Sequence, residues 1–218
     1  MFFSFDGLDG VGKTTQLELL GQWLRGSGHE VVSCYDPGST PLGEAIRAIL
    51  LGRDVAIGRR GEMLLFMAAR AQLVDEVIRP ALEQNKVVVS DRYLLANVVY
   101  QGYAGGLDVD ELWEIGRVAT AGVTPDLTFV LDMPPGTATG RIDRELDRME
   151  TQGDDFRNRL RQGYLTEAAR RPSEIAVVDA ARSIDAVQQE IRSLASRLLE
   201  SQEKSSMSSP LQPPKSRR

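Results

Sequence analysis

Eight residues near the start of the chain, Gly7-Leu8-Asp9-Gly10-Val11-Gly12-Lys13-Thr14, follow the spacing G-x-x-x-x-G-K-[ST]. That spacing holds phosphate esters. Glycines let main-chain N–H groups converge on a phosphate, and the helix that follows adds its dipole. The Lys13 ammonium is placed to reach the β- and γ-phosphates, and the Thr14 hydroxyl is placed to ligate Mg²⁺, with Thr15 next in line. A second group, Lys86-Val-Val-Val-Ser-Asp91, reads as a buried strand that delivers a carboxylate beside such a loop, where Asp91 would position the same ion.

Other chemistries are poorly supplied. His29 and Cys34 are the sole residues of their kinds. One of each makes neither a His/Cys zinc cluster nor an internal disulfide. A hydrolytic triad would have to pass through His29, which lies in a Gly-Ser-Gly-His loop.

Periodicity supplies the elements that must position the loop. Strands are expected at Phe2–Asp6, Glu30–Tyr35, Lys86–Asp91, Asp126–Asp132 and Ser173–Asp179. Helices are expected at 14–26, 41–51, 61–84, 94–101, 108–121, 134–144, 155–170 and 184–200. Alternating strands and helices, without a repeat, predict one α/β domain over residues 1–200, a parallel sheet covered on both faces. Ligands of such folds bind at the carboxyl ends of strands, here residues 6–14, 35–40, 90–93, 132–135 and 179–183.

The composition fits that class, with 42% hydrophobic and 26% charged residues. Residues 201–218 hold six Ser, three Pro and a charge of +3, and are expected as a disordered tail. The rest carries about −8 of the total −5, which argues against a nucleic-acid partner. No segment is long and apolar enough for a membrane span, and the opening residues lack a signal-peptide pattern, so a cytoplasmic protein is expected.

A phosphate loop alone serves GTPase switches, motor ATPases and small-molecule kinases. The guanine reader Asn-Lys-x-Asp is missing, since Asn85-Lys86 continues as Val87-Val88. Arg47, Arg70, Arg92 and the arginine-rich stretch 141–161 suit a kinase with a mobile lid.

Here the sequence resembles the thymidylate kinase family. Asp6–Thr15 looks like that family's phosphate loop, and Asp36-Pro-Gly-Ser-Thr40 resembles its Glu-Pro-Gly-Gly-Thr turn. Leu65-Phe66-Met-Ala-Ala-Arg70 is similar to its Leu-Phe-x-Ala-x-Arg helix. Asp91-Arg92-Tyr93 with Tyr100-Gln101, Pro125–Asp132 and Leu146–Glu150 also have counterparts, in matching order over about residues 1–200.

The resemblance implies a three-layer P-loop NTPase fold with a five-stranded parallel sheet and a lid near 141–155. It implies a homodimer that transfers the γ-phosphoryl of MgATP to dTMP, giving dTDP and ADP. The nearest alternative is another nucleoside-monophosphate or deoxynucleoside kinase, and a further one is a nucleotide-binding switch without turnover.

Roles follow from the resemblance residue by residue. Lys13, Asp9, Arg92 and a lid arginine, Arg148 ahead of Arg144, would be catalytic, since the loop carries Gly10 where some relatives carry a basic residue. Phe66 would stack on thymine and Arg70 would donate to its O4, with Asn97 nearby. Arg47 and Arg92 would clamp the acceptor phosphate, Asp9 would sit by the 3′-hydroxyl, and Tyr100 would crowd the 2′ position. Arg141 and Arg182 would flank adenine. The chain departs from the family pattern at Ala96, where a Ser is usual, at Tyr35-Asp36, where Arg-Glu is usual, and at Asp6, where Glu is usual.

Overall fold

In a computed structural model, residues 1–52, 55–142 and 153–207 are described. Five parallel strands form one sheet: β1 (Phe2–Gly7), β2 (Val31–Tyr35), β3 (Val87–Asp91), β4 (Leu127–Asp132) and β5 (Ile175–Asp179), in the order β2-β3-β1-β4-β5. Each expected strand is present, shifted by one or two residues at its ends.

Strand alternation explains why both faces are apolar. Phe3, Phe5, Val87 and Val89 pack on one face with Leu20, Leu24, Phe129 and Ile191. Their neighbours Phe2 and Val88 pack on the other with Met67, Leu73, Ile78 and Val98. A strand buried on both sides needs a continuous apolar run, which FFSF and VVV supply. Even Ser4 is satisfied inside, its hydroxyl 2.8 Å from the Thr128 hydroxyl of β4.

Helices α1 (Lys13–Gly26) and α9 (Ile184–Met207) cover the first face, together with α7 (Pro135–Thr139) and α8 (Asp154–Arg170). The second face carries α3 (Arg59–Leu73), α4 (Arg79–Glu83), α5 (Leu94–Asn97) and α6 (Val109–Ala119), while α2 (Pro41–Leu51) packs on α3. The expected long helix 61–84 is α3 joined to α4 through wide π-type turns at Val74–Ile78. Pro80 has no N–H to continue the regular ladder, and the wide turns precede it. A second wide stretch, Val98–Ala104, follows α5 and carries Tyr100 and Gln101.

Two expectations change. The last helix runs to Met207, past the expected stop at Glu200, because Ser201–Met207 contains neither Pro nor Gly. The helix expected over 134–144 is the short α7, which ends before Gly140. On α3, Met63, Met67 and Leu73 turn into the core, and Leu64 is exposed. Among the described residues no helix is long and apolar enough to cross a membrane.

The chain runs from β1 outward to β2 and β3 on one side, and later to β4 and β5 on the other. The strand order therefore switches at β1, and a ligand crevice is expected at its carboxyl end. Gly7, the last residue of β1, opens the phosphate loop at that point.

Candidate active site

The loop's geometry comes from its glycines. Gly7 and Gly10 hold φ of 131° and 83°, in the region that side chains avoid. A Cβ on Gly7 would lie 2.5 Å from the Leu131 carbonyl oxygen, and one on Gly10 would lie 2.1 Å from that of Ala138. The loop is thus pressed against β4 and α7 and needs glycine there twice over. Leu8 and Val11 bury their side chains beneath it and leave the main chain outermost.

Lys13, the first residue of α1, folds back over the loop. Its Nζ donates to the carbonyls of Leu8 at 2.7 Å and Gly7 at 3.3 Å, and to Asp9 Oδ1 at 3.5 Å. Burial, with the positive Arg92 close by, lowers its pKa from 10.5. Thr14 Oγ1 stands 3.4 Å from Asp91 Oδ2, so the sequence-predicted ion-holding pair meets across β1 and β3. Thr15 is exposed in the same first turn.

Arg92 follows Asp91 with φ of 66°, a left-handed backbone that points its side chain back across the loop. Its Nη2 bonds Asp9 Oδ1 and, at 3.3 Å, the Tyr100 hydroxyl. Its Nη1 donates to the Gly7 carbonyl at 3.1 Å. Tyr100 donates in turn to Asp9 Oδ2 at 3.1 Å. Burial alone would push the Asp9 carboxyl up. Arg92 and Lys13, with the bond from Tyr100, outweigh it and hold Asp9 well below the usual carboxylate range. Asp9 thus stands between two cations that favour its ionised form.

A cavity of about 810 Å³ opens over these groups, lined by Asp9, Lys13, Thr14, Arg47, Asp91 and Arg92 among others. Arg47, on α2, stacks 5.4 Å above the Tyr35 ring and donates to the Pro37 carbonyl at 2.9 Å. Tyr35 stands where the family pattern has Arg, and its hydroxyl bonds Glu44.

The base-reading candidates lie deeper. Arg70 is 1% exposed, with Nε donating to Asp36 Oδ2 at 2.6 Å and Nη1 donating to Asn97 Oδ1 at 3.0 Å. Phe66 sits one turn earlier on α3, half-buried against Ile46, Leu50 and Ala69. Asp36 both lines the cavity and holds Arg70, so the two regions share a wall.

At the opposite end, Arg141 Nη1 reaches the Ala180 carbonyl at 3.5 Å, and Arg182 follows in the same loop, bonded to the Asp179 carbonyl and to Glu190. The two arginines expected near adenine therefore share one neighbourhood. Arg144, Arg148 and most of the expected lid lie outside the described residues.

Two contributions were not visible in the sequence. Tyr164 of α8 places its hydroxyl 3.2 Å from both Arg92 Nη1 and Asp6 Oδ1. The spacing Phe156, Leu160, Tyr164 marks one buried helix face, but it does not say which element that face meets. Arg161 grips both oxygens of Asp132, at the end of β4, at 2.7 Å each. Cys34 is buried, and burial pushes its thiol up to about 12, the wrong direction for a nucleophile.

For Mg²⁺ the donor set fits. A hydroxyl and a carboxylate oxygen face each other at 3.4 Å at the cavity wall, hard ligands of the kind Mg²⁺ takes beside phosphate. Among the described residues no group of three or more His, Cys, Asp and Glu is clustered as an all-protein metal cage.

This fold and loop define a phosphate-loop α/β nucleotide kinase. The profile described as "Thymidylate kinase" matches residues 5–191. The chain belongs to the thymidylate kinase family. It is 43% identical to a thymidylate kinase of Rhodopirellula baltica over 191 residues, covering 88% of this chain and 78% of that one. It is 47% identical to one of Bifidobacterium longum strain NCC 2705, covering 86% and 93%. The crystal structure of thymidylate kinase from Ehrlichia chaffeensis superposes with a TM-score of 0.72 at 30% identity, covering 89% of this chain and 98% of that one.

Proposed function

We propose that the protein transfers the γ-phosphoryl of MgATP to dTMP, yielding dTDP and ADP, within one kinase domain over residues 1–200. One observation carries the reading: Lys13 from the donor side and Arg92 from the acceptor side both converge on Asp9, and both donate to the Gly7 carbonyl. A site with a cation on each side of one loop suits a phosphoryl group moving between two anions.

The mechanism needs no histidine and no thiol. The acceptor oxygen belongs to a phosphate that is already ionised near neutral pH, so no base need remove a proton. Arg92 and Arg47 orient that phosphate, and Lys13 follows the transferring group. Asp9 keeps Arg92 and Tyr100 in register and accepts from the sugar hydroxyl. Phe66 and Arg70 receive the base. Arg141 and Arg182 flank the adenine of ATP, and Arg148, which lies outside the described residues, is the arginine that the family resemblance assigns to neutralising the transferring group. Thr14 and Asp91 would hold Mg²⁺, which would supply neutralisation of phosphate charge.

Placement in the cytoplasm and a homodimer complete the reading; exposed Leu42, Ile49 and Leu64 on α2 and α3 support a dimer face. Light scattering on the purified protein tests the dimer. ADP release measured against a panel of dTMP, dUMP, dCMP, AMP, GMP and thymidine tests the reaction. Preference for dTMP is expected, and preference for another acceptor overturns it.

A further inference from the structure

The polar groups around Arg70 form one chain of hydrogen bonds with a single sense. Arg70 Nη1 donates to Asn97 Oδ1 at 3.0 Å, Asn97 Nδ2 donates to Gln101 Oε1 at 2.6 Å, and Gln101 Nε2 donates to Glu62 Oε1 at 2.9 Å. All four residues are buried. A guanidinium only donates, and a carboxylate only accepts. The two ends therefore determine the orientation of both amides between them: each oxygen faces back toward Arg70 and each NH₂ faces on toward Glu62. Reversing either amide would set N–H against N–H at one junction and oxygen against oxygen at another, inside a buried site where unpaired polar groups are costly.

This orientation governs what the site offers a base. Asn97 gives its oxygen to Arg70 and keeps its second N–H. Arg70 Nη2 spends one N–H on the Tyr93 carbonyl at 3.3 Å and keeps the other. Among the described residues, the groups left over beside Arg70 are N–H donors, which suit the ring carbonyl of a 4-keto pyrimidine and oppose the amino group of a 4-amino pyrimidine. Ala96, on α5 next to Asn97, brings a methyl group and no hydroxyl, so the burden falls on the amide chain.

We propose that Glu62 is a positioning residue for base discrimination: by ending the Arg70–Asn97–Gln101 chain as an acceptor, it holds the Asn97 amide in the sense that selects a 4-keto pyrimidine nucleotide. This inference rests on the proposed dTMP kinase reaction and names a residue that reaction does not itself require.

The test compares kcat/KM for dTMP and dCMP in wild type, Glu62→Gln and Glu62→Leu. Glu62→Gln still offers an amide oxygen to Gln101, and its dTMP/dCMP ratio is expected to stay near the wild-type value. Glu62→Leu removes the acceptor, and the ratio is expected to fall about tenfold, the worth of one buried hydrogen bond, with kcat for dTMP little changed. An unchanged ratio in Glu62→Leu overturns the proposal, as does a loss of kcat with the ratio preserved. A second measurement needs no variant: in ¹⁵N spectra of the wild-type protein, the side-chain NH₂ protons of Asn97 and Gln101 should be individually shifted and protected from solvent exchange. Averaged, freely exchanging signals would also overturn it. Failure of the wild-type protein to phosphorylate dTMP would instead refute the reaction, a distinct result.

Discussion

The Tyr164 hydroxyl lies 3.2 Å from Nη1 of Arg92, and so ties α8 to the arginine proposed to orient the acceptor phosphate. The same hydroxyl donates to Asp6 Oδ1 at 3.2 Å, whereas Asp6 itself stands 3.9 Å from Arg92. Asp is shorter than the family's usual Glu, and Tyr164 spans the gap. Tyr164→Phe removes the bridge but keeps the ring. Its kcat/KM for dTMP is expected to fall about tenfold, a charge-assisted hydrogen bond's worth, in steady-state kinetics. An unchanged value would show that Arg92 needs no support from α8.

Asp6 gives a pH prediction. It is fully buried, and burial pushes its carboxyl up to about 7 from 3.8, against the pull of Arg92 and Lys13. Its Oδ2 has no hydrogen-bond partner among the described residues. A carboxyl with a raised folded pKa binds its proton more tightly in the folded chain. Its stabilising contribution is complete below pH 3.8 and is lost as pH rises through about 7. Asp6→Asn does not titrate there. The Tm of the variant relative to wild type should therefore climb from about pH 4 to about pH 7 and level off above. A gap independent of pH would contradict this.

Arg70 is as much structure as site. Its ion pair with Asp36 joins two side chains that are 1% and 0% exposed. Arg70→Met leaves Asp36 buried without its cation and is expected to cost about 3–5 kcal/mol in urea denaturation. Arg70→Lys keeps a charge but loses the fork that reaches Asn97, and should fall between. A loss in Arg70→Met below about 1 kcal/mol would mean that Asp36 finds another partner.

The donor side gives three expectations. Lys13→Met should lower kcat by about 10²–10³ while leaving the circular dichroism spectrum unchanged, because the ammonium touches loop carbonyls and Asp9 rather than the core. Chelation of Mg²⁺ should abolish turnover, and Asp91→Asn should raise the Mg²⁺ concentration for half-maximal activity at least about tenfold.

The parts that were legible in the sequence are local. Phe2–Gly7, Val87–Asp91 and the loop between Gly7 and Thr14 follow from short apolar runs and one spaced motif, each readable within ten residues. The pairing of Thr14 with Asp91 follows as well, because a strand ending in Asp has one natural place beside such a loop. The π-type turns before Pro80 were hidden, because helical periodicity persists through them. Tyr164 was hidden too: its partners Asp6 and Arg92 lie 158 and 72 residues away. No local pattern says that the α8 face meets the end of β1. From sequence alone Arg70 looks ligand-facing; its burial and its bond to Asp36, 34 residues earlier, emerge only when α3 packs behind the 36–40 turn.

The central claim is that two anions exchange a phosphoryl group across Asp9, between Lys13 and Arg92. Purified protein given dTMP, ATP and Mg²⁺ is to be followed by ³¹P NMR. The account predicts dTDP and ADP appearing in equal amounts, with ADP formation negligible when dTMP is omitted. ADP released without dTDP, or dTMP left untouched while another acceptor is phosphorylated, would contradict it.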